Sequence, residues 1–356
     1  MKNDTFTLWA FGDAHVGTDL KHQRESLAYA LRTSEFGGDQ GGSAFDWDLA
    51  IDVGDMSGGQ SVPQDPEGEE AVRQFSVLEK HPREAIYSVC GNHDRSGLDE
   101  APAWWWRKWV DPVGEHPESS RVNPLKRPYP IDGTWERYSF RVGNLLFLMM
   151  SDINEPTQNI GRGDLGGNPA GVVSGATFEW WKSMIESNPD SIIISVHHYM
   201  LKETTVASGE WEGMRKNEDG DWMSHYHGHK PQGAPKGASY LYFVDSKPDA
   251  CAFEHYLRDH PGAVALWIGG HTHAHPDDTC GGKSHIETKW GTHFINAACL
   301  SRHHGFTNVP KSRILTFSEN RCQVRVQCYM HTSEFLPEGW YDHAERSLEL
   351  PRPFRR

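Results

Sequence analysis

The chain opens with Phe6-Thr7-Leu8-Trp9-Ala10-Phe11, an apolar run that ends directly in Gly12-Asp13-Ala14-His15. Such a run, followed at once by a turn, is typical of a strand that is buried on both faces. Three later runs have the same form, and each also breaks into a polar turn: residues 49–53, 85–89 and 192–196. The pattern predicts a sheet whose strands end in polar side chains.

Helical periodicity separates the first three predicted strands. Residues 19–35 and 66–80 each place their apolar side chains on one face of a helix. Later, the runs 135–140 and 145–150 flank Gly143-Asn144 and predict an antiparallel hairpin. Parallel strands at the start and antiparallel ones later indicate a mixed α/β fold.

The 356 residues suffice for two domains or one large one. We expect one domain over residues 1–330, with irregular excursions at about 99–130 and 199–248. Long irregular segments of this kind are more often functional than structural. Residues 331–356 are predicted to form a C-terminal surface tail, which can dock on the body or on another subunit.

Charge and cysteine content restrict the class of protein. The 35 basic and 49 acidic residues give a net charge of −14, which argues against a protein that coats nucleic acid. The six cysteines include no CxxC pair, which fits free thiols in a reducing compartment. We find no secretion signal and no apolar run near the ~20 residues of a membrane span, so we expect a cytoplasmic protein.

Polar clusters follow the predicted strands, and histidine, which numbers 21 in the chain, is frequent among them. The carboxyl ends of strands in α/β sheets line the ligand crevice, so these clusters are expected to converge. Residues two apart in an extended chain point to the same side of the chain. Both side chains of each Asp-x-His or His-x-His pair can therefore bind one metal ion. The clusters are Asp13-Ala14-His15, Gly54-Asp55-Met56, Gly91-Asn92-His93-Asp94, His197-His198 and Gly270-His271-Thr272-His273.

These clusters offer seven donors, more than one tetrahedral metal site can use. They suit two adjacent ions of five or six coordination, bridged by the carboxylate of Asp55. No thiolate takes part, so the mixed nitrogen and oxygen set favours Mn or Fe, with Zn also acceptable. The seven predicted donors are Asp13, His15, Asp55, Asn92, His197, His271 and His273.

In this order and spacing the motifs closely resemble those of the calcineurin-like metallophosphoesterase family, over about residues 6–300. The resemblance implies a four-layer α/β/β/α sandwich of two mixed sheets flanked by helices. It also implies a substrate contact through His93, with Asp94 orienting that histidine. The implied metal sets are Asp13, His15, Asp55 and His273 for one ion, and Asp55, Asn92, His197 and His271 for the other.

The choice between His197 and His198 is open to argument. Alternation from Ile193 and Ser195 places His197 on the side of Ser195, and the resemblance also points to the first histidine, so we favour His197. His198 would then contact the ligand His197 or its surroundings without binding the metal itself. The sequence departs from the family pattern at Tyr199, where proline is frequent, and at residues 296–299, where Asn-Pro-Gly-Ser is common.

The expected function is hydrolysis of a phosphoester by a hydroxide that bridges the two metals, with His93 neutralising the developing charge or protonating the leaving group. A small-molecule phosphodiester is favoured because the sequence shows no arginine cluster that would clamp a dianion. Alternatives are a phosphomonoesterase or nuclease with the same site, or a non-catalytic interaction scaffold of this fold. Negative charge disfavours the nuclease, and the full donor set disfavours the scaffold. The expected partners are a phosphoester substrate and, for the assembly, a second copy of the chain in a homo-oligomer.

Three further features lie outside the predicted donor set. The histidine cluster at residues 225–229 can extend the substrate site, although a solvated loop is the more common explanation. Trp104, Trp105 and Trp106 are expected to pack on the body of the protein. His303 and His304 can face the pocket. At Gly58 purple acid phosphatases carry a tyrosine that ligates ferric iron, so a coloured Fe(III) site is not expected here.

Overall fold

The structure is a computed structural model of the chain. It describes residues 4–59, 61–97, 100–153, 171–209, 240–241, 244–245, 251–279, 282–297, 299–302, 309–331 and 337–356, and the backbone alone of 214–216, 222–224 and 243.

The helices of the described residues are α1 (Val16–Lys21), α2 (Ser26–Phe36), α3 (Asp65–Phe75), α4 (Trp104–Trp109), α5 (Pro117–Ser120), α6 (Gly175–Glu186) and α7 (Ala252–Asp259). The strands are β1 (Thr5–Phe11), β2 (Leu49–Asp52), β3 (Ile86–Ser88), β4 (Asp132–Gly133), β5 (Arg137–Val142), β6 (Leu145–Met150), β7 (Val172–Val173), β8 (Ile192–Val196), β9 (Met214–Lys216), β10 (Trp222–Ser224), β11 (Phe243–Val244), β12 (Leu266–Gly269), β13 (Ile286–Lys289), β14 (Thr292–Asn296), β15 (Lys311–Ser318), β16 (Gln323–Met330), β17 (Gly339–Trp340) and β18 (Arg346–Glu349).

Most strands belong to two mixed sheets of seven strands each. The first has the order β17-β16-β15-β1-β2-β3, with β18 also paired to β16. Within it, β1, β2 and β3 are parallel, and β15 runs antiparallel to β1. The second has the order β13-β14-β12-β8-β6-β5-β4, with β6, β8, β12 and β14 parallel. Each sheet therefore contains a set of adjacent parallel strands, a parallel block, and the carboxyl ends of those strands lie together along one side of the sheet, called its edge below.

The two sheets pack face to face, which follows from the alternation of side chains along their strands. In β1, Phe6, Leu8 and Ala10 join a buried cluster to which both sheets contribute. Trp9 and Phe11 point the other way, into a separate cluster. Since both faces of these strands are buried, their sequences read as continuous apolar runs.

Helices cover the outer face of each sheet. On the first sheet, apolar side chains of α2, α3 and α4 pack against Trp9 and Phe11. On the second, α6 and α7 supply Trp181 and Phe253, which pack against Trp267 of β12. The result is the α/β/β/α sandwich that the family resemblance implied, and the prediction of a mixed α/β fold is confirmed.

Residues 19–35 form two helices, although their periodicity predicted one. The break lies between α1 and α2, where the Asp19 carboxylate accepts hydrogen bonds from the Ser26 amide at 2.8 Å and from Arg24 Nε at 3.0 Å. Asp19 thereby satisfies an amide at the start of α2, a position where helices lack internal partners. The side chain of Asp19 in α1 therefore caps the start of α2, seven residues later in the chain.

The C-terminal segment is part of the first sheet and does not lie on the surface as a tail. Strands β17 and β18 both pair antiparallel with β16. Beyond them, the ring of Phe354 is 1% exposed and lies 6.1 Å from the ring of Phe6 and 5.8 Å from that of Phe317. The segment carries too few apolar residues to predict this pairing from its own sequence.

The excursions differ in how far the structure describes them. In the first, Trp105 and Trp106 are buried in the cluster on the outer face of the first sheet, as expected of body packing, whereas Trp104 is only partly buried. Most of the second, from 210 to 239, lies outside the residues described with side chains. Within the described ranges, no helix is long and apolar enough to cross a lipid bilayer.

We predict that Phe354→Ala destabilises the protein by about 3–5 kcal/mol, because it removes a ring buried between two others in the core. Urea unfolding followed by tryptophan fluorescence measures this. The matched control is Arg355→Ala, since the Arg355 side chain is exposed and such surface changes usually stay within about 0.5 kcal/mol. Equal stability of the two variants would mean that the segment is a tail after all.

Candidate metal centre

Polar side chains from both sheets meet at one edge of the sandwich, where the parallel strands end. Asp13 and His15 follow β1, Asp55 follows β2, and His271 and His273 follow β12. Among the residues that the structure describes, three groups of potential ligands have their donor atoms within 4.8 Å of one another: Asp13, His15 and His273; His15, Asp55 and His93; and Asp55, His198 and His271. Shared members join the three groups into one cluster, the donor cluster.

Four members of the donor cluster have left-handed backbone. The φ angles are 55° at Asp13, 45° at His15, 56° at Asp55 and 66° at His271. Non-glycine residues rarely adopt this conformation, and each instance costs about 1–3 kcal/mol. The turns after β1, β2 and β12 are therefore held in strained form, and in each of them the strained residue carries a donor atom.

Glycine is required where the loop after β3 touches the loop after β2. A Cβ atom on Gly91 would lie 2.3 Å from both the amide nitrogen and Oδ1 of Asp55. This close approach lets the His93 amide donate to Asp55 Oδ1 at 2.7 Å. The Gly-Asn-His-Asp motif thus begins with glycine because a larger residue would push Asp55 away.

The first half of the donor cluster is built around Asp13. His273 Nε2 lies 2.7 Å from Asp13 Oδ1 and 3.2 Å from His15 Nε2, and His15 Nε2 lies 3.9 Å from the same carboxylate oxygen. The side chains of Asp13 and His15 are fully buried. Two imidazole nitrogens and a carboxylate oxygen therefore face one small volume.

The second half is built around Asn92 and Asp55. His198 Nε2, His271 Nδ1 and the Tyr199 hydroxyl each lie 3.0 Å from Asn92 Oδ1. His198 Nε2 is also 3.2 Å from Asp55 Oδ2. Carboxylate, amide and imidazole groups thus converge here as well, and Asp55 lies between the two halves.

Backbone carbonyls fix the tautomers of three imidazoles. Nδ1 lies 3.0 Å from the Ser57 carbonyl oxygen in His15, 2.7 Å from that of Gly59 in His93, and 2.8 Å from that of Val53 in His198. A carbonyl oxygen only accepts hydrogen bonds, so Nδ1 carries the proton in each ring. In the neutral rings Nε2 then presents a lone pair, which is the arrangement typical of metal-binding histidines.

Both the negative charge of the buried carboxylates and the lone pairs of the imidazoles favour a bound cation in the donor cluster. In a neutral His198 the Nε2 lone pair would face acceptor oxygens of Asn92 and Asp55, which repel it unless positive charge intervenes. Burial alone would lower the pKa of His198, yet the charge of Asp55 and the hydrogen bond to it raise that pKa to about 10. The buried carboxylates therefore demand a proton or a metal ion at this position.

Two further carboxylates hold the loops of the donor cluster in place. Asp94 accepts hydrogen bonds from the amides of Asp55 at 3.0 Å, Ser57 at 2.7 Å and Gly91 at 2.9 Å. This differs from the prediction that Asp94 orients His93, because the partner at His93 Nδ1 is the Gly59 carbonyl. Burial, together with the charge of Asp55, raises the pKa of Asp94 well above its usual range.

The second supporting carboxylate, Glu67, was not identified from the sequence. It lies in the first turn of α3 and accepts hydrogen bonds from the amides of Gly17 at 3.0 Å and Gly58 at 2.6 Å. It therefore ties the loop of His15 to that of Asp55. No motif marks it, since an acidic residue in the first turn of a helix is common for other reasons.

His198, and not His197, belongs to the donor cluster, so the predicted choice between them is corrected. Ile193 and Ser195 face the helices, where Ser195 Oγ accepts from Trp181 Nε1 at 2.8 Å, and His197 continues that face. Ser195 and His197 do share one face of β8, as predicted. Alternation alone, however, does not show whether that face points to the helices or to the other sheet. Burial, with a contribution from the charge of His198, lowers the pKa of His197 to about 3, which makes it a neutral core residue.

The remaining predicted residues divide into two groups. Asp13, His15, Asp55, Asn92, His93, His271 and His273 all lie in or beside the donor cluster. The histidines at 225–229 and at 303–304 lie outside the described residues. Tyr199, whose hydroxyl contacts Asn92, was noted in the sequence only as a departure from a family pattern.

Comparison with known proteins gives only distant similarities. No protein family model matches the chain, and no curated protein does. Among solved structures, a predicted phosphoesterase from Streptococcus pneumoniae TIGR4 is 10% identical, with 97% of this chain and 98% of that chain covered and a TM-score of 0.36.

Two other solved structures have different descriptions. GAP50, the anchor in the inner membrane complex of Plasmodium, is 11% identical over 98% of this chain and 90% of its own, with a TM-score of 0.46. Vacuolar protein sorting 29 from Cryptosporidium parvum is 11% identical over 97% and 98%, with a TM-score of 0.32. At such low scores these similarities do not bear on function.

We predict that His198→Ala weakens the binding of added Mn²⁺ by more than about tenfold, because it removes a nitrogen that faces Asp55 and Asn92. His197→Ala is the matched control, since it removes the same group one residue earlier from the opposite face. It should leave the affinity within a few-fold while lowering thermal stability. Calorimetric titration of the purified variants decides, and the reverse pattern would restore His197 as the donor.

Proposed function

We propose that the protein is a metal-dependent hydrolase of phosphoesters, with a small-molecule phosphodiester as the substrate. The observation that carries this proposal is the donor cluster, in which imidazole Nε2 atoms fixed by backbone carbonyls face two buried carboxylates. A site of this composition favours Mn or Fe, with Zn also acceptable, because it offers only nitrogen and oxygen donors.

The donors divide naturally into two sets that share Asp55. One ion would be held by Asp13, His15, Asp55 and His273, and the other by Asp55, Asn92, His198 and His271. Divalent ions bound there would neutralise negative charge on the phosphoryl group and make a nearby water more acidic. The chain itself contributes two buried carboxylates with fixed directions, so the geometry does not have to reorganise during the reaction.

His93 is the proposed proton donor to the leaving group. Its Nδ1 proton is held by the Gly59 carbonyl at 2.7 Å, so the doubly protonated ring would donate its second proton from Nε2 and return to the neutral form. Nε2 lies 3.9 Å from Asp55 Oδ2, and the imidazole ring packs edge-on against His15 at 4.9 Å between centroids. His93 is thus beside the proposed metals without being required to hold them.

The same geometry supports a phosphomonoesterase or a nuclease, and an assay must distinguish them. A panel of diesters, monoesters and short single-stranded oligonucleotides, each tested with Mn²⁺, Fe²⁺ and Zn²⁺, provides the comparison. The proposal expects the highest kcat/KM on a small diester. A protein that binds metals tightly and hydrolyses nothing in the panel would instead be an interaction scaffold.

We predict that His93→Ala retains metal binding but loses activity, by about 10²–10⁴-fold for esters with poor leaving groups. The loss should shrink for 4-nitrophenyl esters, because their leaving group needs no protonation. Steady-state rates on a 4-nitrophenyl and an alkyl ester of the same phosphate measure the difference.

His255→Ala serves as the control, since His255 is exposed on α7, away from the donor cluster. It should match the wild-type protein on both esters. An equal loss on both esters in His93→Ala would show that His93 holds the substrate and does not transfer a proton.

A further inference from the structure

Glu67 holds two loops of the site with a single carboxylate oxygen. Its Oε1 accepts from the Gly17 amide at 3.0 Å and from the Gly58 amide at 2.6 Å. A Cβ atom on Gly17 would lie 2.4 Å from the same oxygen, so this loop can approach only because glycine occupies the position. The close fit distinguishes Glu67 from the acidic residues that commonly begin helices through charge alone.

One peptide group connects Glu67 to His15. The Gly58 amide that binds Glu67 lies in the same peptide plane as the Ser57 carbonyl, which accepts from His15 Nδ1 at 3.0 Å. The amide and the carbonyl of a trans peptide point in opposite directions, and the group is rigid because the peptide bond is planar. Glu67 and His15 therefore bind opposite ends of one rigid group. Ser57 and Gly58 are both buried, so the two contacts are shielded from water.

The other ring nitrogen of His15 lies in the donor cluster. His15 Nε2 is 3.2 Å from His273 Nε2 and 3.9 Å from Asp13 Oδ1. Because Nδ1 carries the proton that the Ser57 carbonyl accepts, Nε2 presents its lone pair to this volume. In many metal sites a carboxylate or a carbonyl binds directly to the ring of a ligating histidine. Here the carboxylate stands one peptide further away.

We propose that Glu67 is a positioning residue for the metal site, which acts on His15 through the peptide between Ser57 and Gly58. This inference rests on the proposed function, because it concerns a ligand of the proposed metals. The carboxylate fixes the direction of the peptide and polarises it, since hydrogen bonds in a chain strengthen one another. The Ser57 carbonyl then becomes a better acceptor, which orients the imidazole ring and makes its Nε2 a stronger donor to a metal ion.

The two neighbouring peptides have anchors of their own. The Ser57 amide, which belongs to the preceding peptide, donates to Asp94 Oδ1 at 2.7 Å. The Gly58 carbonyl, which belongs to the following peptide, accepts from the Thr18 hydroxyl. Glu67 holds the peptide between them. Its removal should therefore release that peptide while the rest of the loop stays in place.

We predict that Glu67→Ala weakens the binding of added Mn²⁺ about tenfold, because His15 loses its fixed direction. Glu67→Asp should lose as much, since the shorter side chain keeps the charge but does not reach both amides. Glu67→Gln should bind more tightly than either, because it keeps an acceptor oxygen at the original length. Calorimetric titration measures these affinities. Glu69→Ala is the matched control, since Glu69 is exposed on the same helix, and it should bind as the wild type does.

A double-mutant cycle shows whether the effect passes through His15. In a His15→Ala background, Glu67→Ala should change the Mn²⁺ affinity by less than about twofold, because the ring is already absent. In a His198→Ala background it should still cost about tenfold, since His198 lies in the other half of the donor cluster. A merely structural role of Glu67 would give the same loss in both backgrounds. If Glu67→Ala does not fold, Glu67→Asp supplies the same comparison, because it keeps the charge at the start of α3.

The outcomes separate this inference from the proposed function, because Mn²⁺ binding does not depend on hydrolysis. Equal affinities of the wild type and Glu67→Ala, or equal losses in the two backgrounds, would overturn the role of Glu67. A loss that disappears only in the His15→Ala background, in a protein that hydrolyses no ester, would overturn the proposed function and support the role of Glu67. A wild-type protein that binds no Mn²⁺ would overturn both.

Discussion

Burial of the Asp13 and Asp55 carboxylates at the sheet edge is the constraint on which the rest of the site depends. Both side chains are almost entirely removed from solvent, and a buried carboxylate without compensating charge costs several kcal/mol. The surrounding imidazoles and backbone amides supply part of that compensation, and they can do so only if several loops meet closely. The strained backbone at Asp13, His15, Asp55 and His271 follows from this demand.

The sandwich makes such a meeting possible because the parallel blocks of both sheets end at the same edge. This much could be predicted from the sequence. Strands such as β1 and β8 are buried on both faces, so they read as apolar runs, and the polar residues after them stand out clearly. The predicted strands at 192–196 and 145–150 match β8 and β6 residue for residue. The ends of β1, β2, β3 and β5 differ from their predicted positions by one or two residues.

The choice of His197 failed for a reason that local patterns cannot remedy. In a strand that is buried on both faces, alternation sorts side chains into two groups but does not show which group faces the other sheet. Here Ser195 is buried against Trp181 of α6, a contact between residues 14 apart that only the packing of the helix reveals. The role of Asp94 and the pairing of β17 and β18 depend in the same way on contacts between distant segments.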